Sequence, residues 1–409
     1  MITSSKKVIT IVVVVAIIGF IAAVALFGFR KNQIGTTFIG RLFPISPVGS
    51  PPSSTSDVGN QKTSDVFPGG ENKTQTQQTA VLGTSAAANL PIGSLMALSG
   101  DPVASLAVSA TTTYYHKNTP ENLGHLFSRK ADGTDSEKRI SNFTIPQIIK
   151  VMWSPDAKKA VIFYQTSNET RKILVDYRST STPKTNFLPD SVSSIAFSPD
   201  SKSIAFINSA AESQNVFLAS DTFANQRKIF DNRIPYFEIS WPHSNLISLI
   251  TRSSSDTTGF LYSLNIETKE FTKIIEGAGL SAVWKKDGTG VLYSTAPDLS
   301  LKFLDIKSKK VTDLGTRTPA EKCVFANSQK NTVYCAIPQN IPTGEYPDDW
   351  WKGKISFLDT ISAINLETLN RQNTIATSFD VIKPTVLQND SYFLFQDKNT
   401  GMLWSLKLK

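Results

Sequence analysis

Trp153-Ser154-Pro155-Asp156 leading into Val161-Ile162-Phe163, and Phe197-Ser198-Pro199-Asp200 leading into Ile204-Ala205-Phe206, are two copies of one local pattern. Proline presets φ for the second position of a turn, and the aspartate bonds backbone N–H groups just beyond it. Each copy therefore reads as a hairpin corner between two apolar strands. Working outward, worn copies keep the large residue and the polar turn at Trp241, Trp284, Phe325 and Leu387, with successive anchors 44, 44, 43, 41 and 62 residues apart. That period belongs to four-stranded sheets repeated radially. A second signature follows the hairpins: Leu264-Asn265-Ile266-Glu267-Thr268, Leu304-Asp305-Ile306-Lys307-Ser308, Ile364-Asn365-Leu366-Glu367-Thr368 and, last, Leu406-Lys407-Leu408-Lys409. It reads as the end of a third strand and its turn.

On the aromatic-Ser-Pro-Asp corners and the β-branched strands behind them, the chain resembles WD40-like β-propeller repeats of the TolB type. The resemblance covers residues 91–409 and implies an all-β fold. Proteins of this type are often extracytoplasmic binding scaffolds, and similar blades cap certain serine peptidases. One departure is plain: the α/β domain that precedes the propeller in TolB-like proteins has no counterpart here.

The last third-strand signature runs into the C-terminus, which leaves the final blade short of a fourth strand, and an unpaired edge of that kind has to be covered. The candidate is Ser94-Leu95-Met96-Ala97-Leu98, just before the first blade. Strands near residues 104–109, 111–116 and 125–128 then form a degenerate first blade, and the expected count is seven, with six or eight as alternatives. Both faces of a propeller strand are buried, hence the mixed large and small residues of Ile195-Ala196-Phe197. The aromatic anchors are accordingly expected to be packing residues.

Residues 1–90 belong to a different physical class. A short basic tail, 1–7, precedes Val8–Phe29, 22 residues without charge or proline. At about 1.5 Å per residue they are long enough to span a bilayer. The expectation is a signal anchor that holds the propeller outside the cell membrane as a single-pass protein. The alternative is a cleaved signal peptide, with Ala23-Val24-Ala25 as the cleavage site. Residues 30–90 are rich in Ser, Thr, Pro, Gly and Gln and carry no apolar period, so they read as a flexible, disordered tether.

The net charge of +8 divides evenly, +4 before residue 91 and +4 over the propeller, with no run of five like charges. A nucleic-acid surface would need a dense basic stripe with interleaved aromatics, so no nucleic-acid partner is expected. His116, His125 and His243 lack ligand spacing, and neither a metal nor a cofactor is expected. Cys323 and Cys335 flank one hairpin turn nearly opposite each other, which makes them a candidate disulfide in an oxidising compartment. The alternative is two buried thiols.

The 62-residue spacing marks an insertion of roughly 20 residues between the second and third strands of one blade. In an up-and-down blade that loop emerges at the same end of the ring as the connections between blades. It contains Tyr346, Asp348, Asp349, Trp350 and Trp351, stacking surface with acceptors beside it, suited to a sugar ring or a partner's side chains. The alternative is that the tryptophans fold inward. Asp190, Asp231, Glu276, Glu321 and Asp380 fall in or near blade connections, but so do Lys150, Arg233, Arg317, Lys322 and Lys383, a mixture that reads as ion pairs around a solvated channel. No Gly-x-Ser-x-Gly elbow occurs. The expected function is therefore a non-catalytic binding or scaffold module of the cell envelope, not an enzyme, with a protein or a surface glycan as partner. The alternative is a propeller glycosidase or lyase with an axial carboxylate site.

Overall fold

A computed structural model describes residues 90–409, apart from residues 180, 181, 211 and 212. The membrane span expected over residues 8–29 and the tether over 30–90, Leu90 excepted, lie outside the described residues. The rest is seven antiparallel four-stranded sheets arranged as a closed ring. Six are consecutive in the chain, beginning at Ala107–Ser109, Ile148–Trp153, Val192–Phe197, Phe237–His243, Ser281–Trp284 and Cys323–Phe325. Several first strands of neighbouring sheets touch one another, Val192–Phe197 with both Ile148–Trp153 and Phe237–His243, and Cys323–Phe325 with Val381–Val386, which sets them on the inner side of the ring. The fourth strand of the second blade, Lys184–Phe187, is exposed along its length.

The two repeated signatures have local causes. Asp156 Oδ1 accepts from the Ser154 hydroxyl at 2.7 Å and the Lys158 N–H at 3.1 Å, and Asp200 repeats this with Ser198 and Lys202. The residue after each aspartate, Ala157 or Ser201, turns into the left-handed region. At the third-strand turn Asn265 and Asn365 each accept two backbone N–H groups, from Glu267 and Thr268 and from Glu367 and Thr368. Asp305 holds Ser308 in the same way. A side-chain acceptor at the strand end thus replaces the ladder partner lost at the turn.

The seventh sheet joins both ends of the domain. Val381–Val386, Tyr392–Asp397 and Leu403–Lys407 supply three strands, and Leu95–Ala97 is the fourth. Leu95 stands opposite Leu406, Met96 opposite Ser405 and Ala97 opposite Trp404. Unlike the other outermost strands this one is wholly buried. Arg129 of the first blade reaches over it to the Ala97 and Leu98 carbonyls, and the Ser405 hydroxyl donates to Ala131 at 2.6 Å.

Each joint between neighbouring blades has its own apolar cluster. The second and third blades, for example, meet through Val161, Phe163, Ile195 and Phe206, and the sixth and seventh through Ala336, Ile361, Phe393 and Phe395. The seam between the last and first blades is packed in the same manner, with Leu98, Tyr115, Leu394 and Leu403. Trp284 is buried and donates its indole N–H to Ser248 of the preceding blade at 2.8 Å, so this anchor is a packing residue. Cys323 and Cys335 are directly opposite in the first two strands of the sixth blade and are joined as a disulfide.

Candidate binding site at the insertion end of the ring

Strand alternation puts the second-to-third loops and the blade connections at one end of the ring. There the sixth blade inserts residues 339–358 between Thr332–Pro338 and Asp359–Asn365, with a single helical turn, Asp348–Trp351, in the middle. The insertion has an apolar base of its own, formed by Tyr346, Trp350 and Phe357 with Leu299 of the fifth blade. It leans as far as the fourth blade, where Asp348 accepts the Ser255 N–H at 2.7 Å.

Beneath the insertion lies a buried charge cluster. Lys322, at the end of the Ala320–Lys322 turn, places Nζ 2.7 Å from Asp359 and 2.6 Å from Asp380, and all three side chains are fully buried. The ammonium also lies over the rings of Trp350 and Phe357, at 4.8 and 5.1 Å. Asp380 further accepts the Trp350 indole N–H at 2.9 Å, the Phe357 N–H at 3.1 Å and the Ser356 hydroxyl at 3.2 Å. One lysine thus faces two carboxylates. Burial pushes Asp359 up to about 6 against the pull of Lys322, and its Oδ1 accepts no hydrogen bond. This cluster holds the insertion to the ring and offers no open site.

The five residues expected to bind therefore divide. Tyr346 is buried and donates to the Pro342 carbonyl at 2.6 Å. Asp348 and Asp349 are engaged within and below the loop, Asp349 accepting from Lys354 at 2.8 Å and from the Glu345 N–H at 3.0 Å. Trp350 is fully buried, whereas its neighbour Trp351 is 52% exposed. Trp351 stands over a cleft of about 590 Å³ whose lining includes Lys150, Glu238, Arg252, Ser281 and Glu321. Burial pushes the Glu321 carboxyl up to about 7, with Lys322 pulling down, Glu238 adding to the rise and the Trp351 indole opposing it. Glu238 is paired at the rim with Arg252 at 3.3 Å and Lys150 at 3.7 Å.

Of the other charged residues at blade connections, Asp231 and Glu276 pair locally with Lys228 and Lys273 on outer strands. Arg317 donates to the Asp298 carbonyl at 2.6 Å. The mixed-sign ring thus contracts to two groups, the Lys322 cluster and the cleft. Sequence reading missed one further arrangement. Ser105 Oγ lies 2.8 Å from His116 Nδ1, and His116 Nε2 lies 2.8 Å from the Tyr177 hydroxyl. It resembles a nucleophile with its base, but all three are buried, and burial drives the imidazole down to about 3. It is a hydrogen-bonded tie between the first two blades. Among the described residues no three His, Cys, Asp or Glu side chains gather as a metal-binding group.

No family model and no curated protein matches the chain. Solved structures do. An oligogalacturonate lyase in complex with manganese aligns with a TM-score of 0.53 at 12% identity, over 76% of this chain and 90% of that one. A prolyl endopeptidase aligns at 0.52 and 11%, over 75% of this chain and 47% of its own. TolB from Acinetobacter baumannii aligns at 0.42 and 14%, over 69% of this chain and 59% of its own. The chain is a seven-bladed β-propeller. The likeness is one of fold, which in propellers is shared by binding proteins and enzymes alike.

Proposed function

We propose that this propeller is a binding module of the cell envelope, tethered to the membrane by residues 8–29 and engaging its partner through the insertion end of the ring. The supporting observation is where large apolar side chains meet solvent. Leu123, Ile149, Tyr236, Trp351 and Leu358 are all exposed, and all sit in second-to-third loops or at blade connections at that end. Ile92, Val311 and Leu369 are exposed at the opposite end, and Phe187 is exposed on an outer strand. Apolar groups gathered on one rim beside polar ones are the usual composition of an interaction surface. Cross-linking the intact protein in membranes tests this. Trp351→Ala combined with Tyr236→Ala removes the main neighbour on this reading, and an unchanged set of cross-linked neighbours removes the insertion end from consideration.

A second reading, a carbohydrate-active enzyme, is favoured by the shared cleft of Glu321 and Glu238. A carboxyl raised towards 7 with a second carboxylate in the same cleft is the kind of pair that acid–base chemistry uses. Opposing it, Glu238 is already paired with two basic side chains. Release of reducing ends from acidic polysaccharides, abolished by Glu321→Gln, would favour this second reading over the first.

A further inference from the structure

The cleft beneath Trp351 has two basic side chains that the fold holds only loosely. Lys150 and Arg252 stand on its rim with Glu238 between them. These pairs are long and solvent-exposed, so they hold the two cations weakly and leave them free to turn to another anion. Lys383, on the innermost strand of the seventh blade, lies outside the cleft lining, and burial first, then Lys150, pushes its ammonium down. Lys383 donates to the Ala104 carbonyl at 3.4 Å, and among the described residues no carboxylate pairs with it. Two cations, Lys150 and Arg252, thus face the mouth with Glu238 and Glu321. Burial and the neighbouring Glu238 raise the Glu321 carboxyl to about 7 against the pull of Lys322, which lessens the negative charge in the cleft.

The remaining lining suits a ring. Trp351 presents a half-exposed indole, and Thr251 and Ser281 add hydroxyls, each of which accepts a backbone N–H and retains its own hydrogen to donate. A flat apolar face beside hydroxyls and a neutral carboxyl matches a pyranose, whose C–H face stacks while its edge hydrogen-bonds. The cleft volume, about 590 Å³, lies in the range of small-ligand sites.

We infer that this cleft binds a hexuronate unit of a surface polysaccharide, its ring stacked on Trp351 and its carboxylate held by Lys150 and Arg252. The inference rests on the reading that the insertion end is the binding end and names the ligand class for it. Charge-assisted bonds from two cations to one carboxylate supply the discrimination, and the indole supplies the contact area.

Calorimetric titration of the full-length protein in detergent micelles tests it, with trisaccharides of galacturonate, glucuronate and mannuronate, each beside its methyl ester, and trialanine as a peptide carboxylate. At least one acidic trisaccharide is expected to bind, with its ester weaker by about tenfold or more. Trp351→Ala weakens both forms, whereas Lys150→Met with Arg252→Gln weakens the acid towards its ester and leaves the ester unchanged. Thermal melts of each variant matching the parent exclude loss of fold. Failure of every acidic trisaccharide to bind, equal binding of acid and ester, or preference for trialanine overturns the inference. If it fails while Trp351→Ala still strips cross-linked neighbours in membranes, only the hexuronate assignment falls. If the neighbours persist as well, the binding end falls with it.

Discussion

Lys322 is the residue on which the insertion depends. Its ammonium is the only basic group within salt-bridge distance of Asp359 and Asp380 among the described residues, and every member of the cluster is buried. Removing one partner of such a cluster leaves charge without water or counter-charge, so Lys322→Met is expected to cost about 3 to 5 kcal/mol in denaturant unfolding. Adding Asp380→Asn should recover part of that loss, because the two changes act on one network. Glu321 gives a pH dependence. Its folded carboxyl, near 7, is raised from 4.5, so between those values the folded state holds a proton that the unfolded chain has released. Stability therefore falls as pH rises through that window, and Glu321→Gln should flatten the slope of melting temperature against pH. Neither residue was singled out by sequence as more than one of ten charges near blade connections. Lys322 lies 37 residues before Asp359 and 58 before Asp380, and only the adjacency of the sixth and seventh blades brings them together. No local periodicity carries that information.

At the scale of the element, the insertion is positioned by a close approach as well as by charge. Gly279, in the connection between the fourth and fifth blades, has φ of +59°, and a Cβ there would lie 2.8 Å from the Tyr346 carbonyl oxygen and 3.0 Å from Pro347. Gly279→Ala thus meets a backbone obstacle in addition to the left-handed conformation. It should cost about 1 to 3 kcal/mol from conformation alone, with more from displacing the insertion. Gly353→Ala, at φ of +75° with nothing within 4 Å, isolates the conformational part. A larger drop in melting temperature at Gly279 than at Gly353 is the expected outcome, and equal drops would mean that the loop does not press on this connection. The hairpin corners were legible in sequence because proline and aspartate act within four residues, and the insertion was legible as a broken period. Which tryptophan faces solvent was not: Trp350 and Trp351 are adjacent, and the phase of a single helical turn decides between them.

For the whole molecule, closure is the controlling fact. Leu95–Ala97 completes the seventh blade and is buried between the sixth blade and the first. Deleting residues 90–98 would expose the ladder groups of Leu403–Lys407 together with Trp404 and Leu406, so the truncated domain is expected to aggregate or lose its cooperative melt. A monomeric domain melting at the parent temperature would contradict closure. This feature was legible because the chain ends on a third-strand signature, leaving one strand to be found elsewhere. The end of the ring that meets a partner was legible only from topology, through the position of the insertion. Its apolar rim, drawn from Leu123, Ile149, Tyr236 and Leu358 on four different blades, has no signature along the chain. The most direct test is photo-cross-linking in intact membranes, with a photoreactive side chain placed in turn at Tyr236, Leu358, Val311 and Leu369. The account predicts that Tyr236 and Leu358 capture the same neighbour and that Val311 and Leu369 do not; capture from Val311 and Leu369 alone would contradict it.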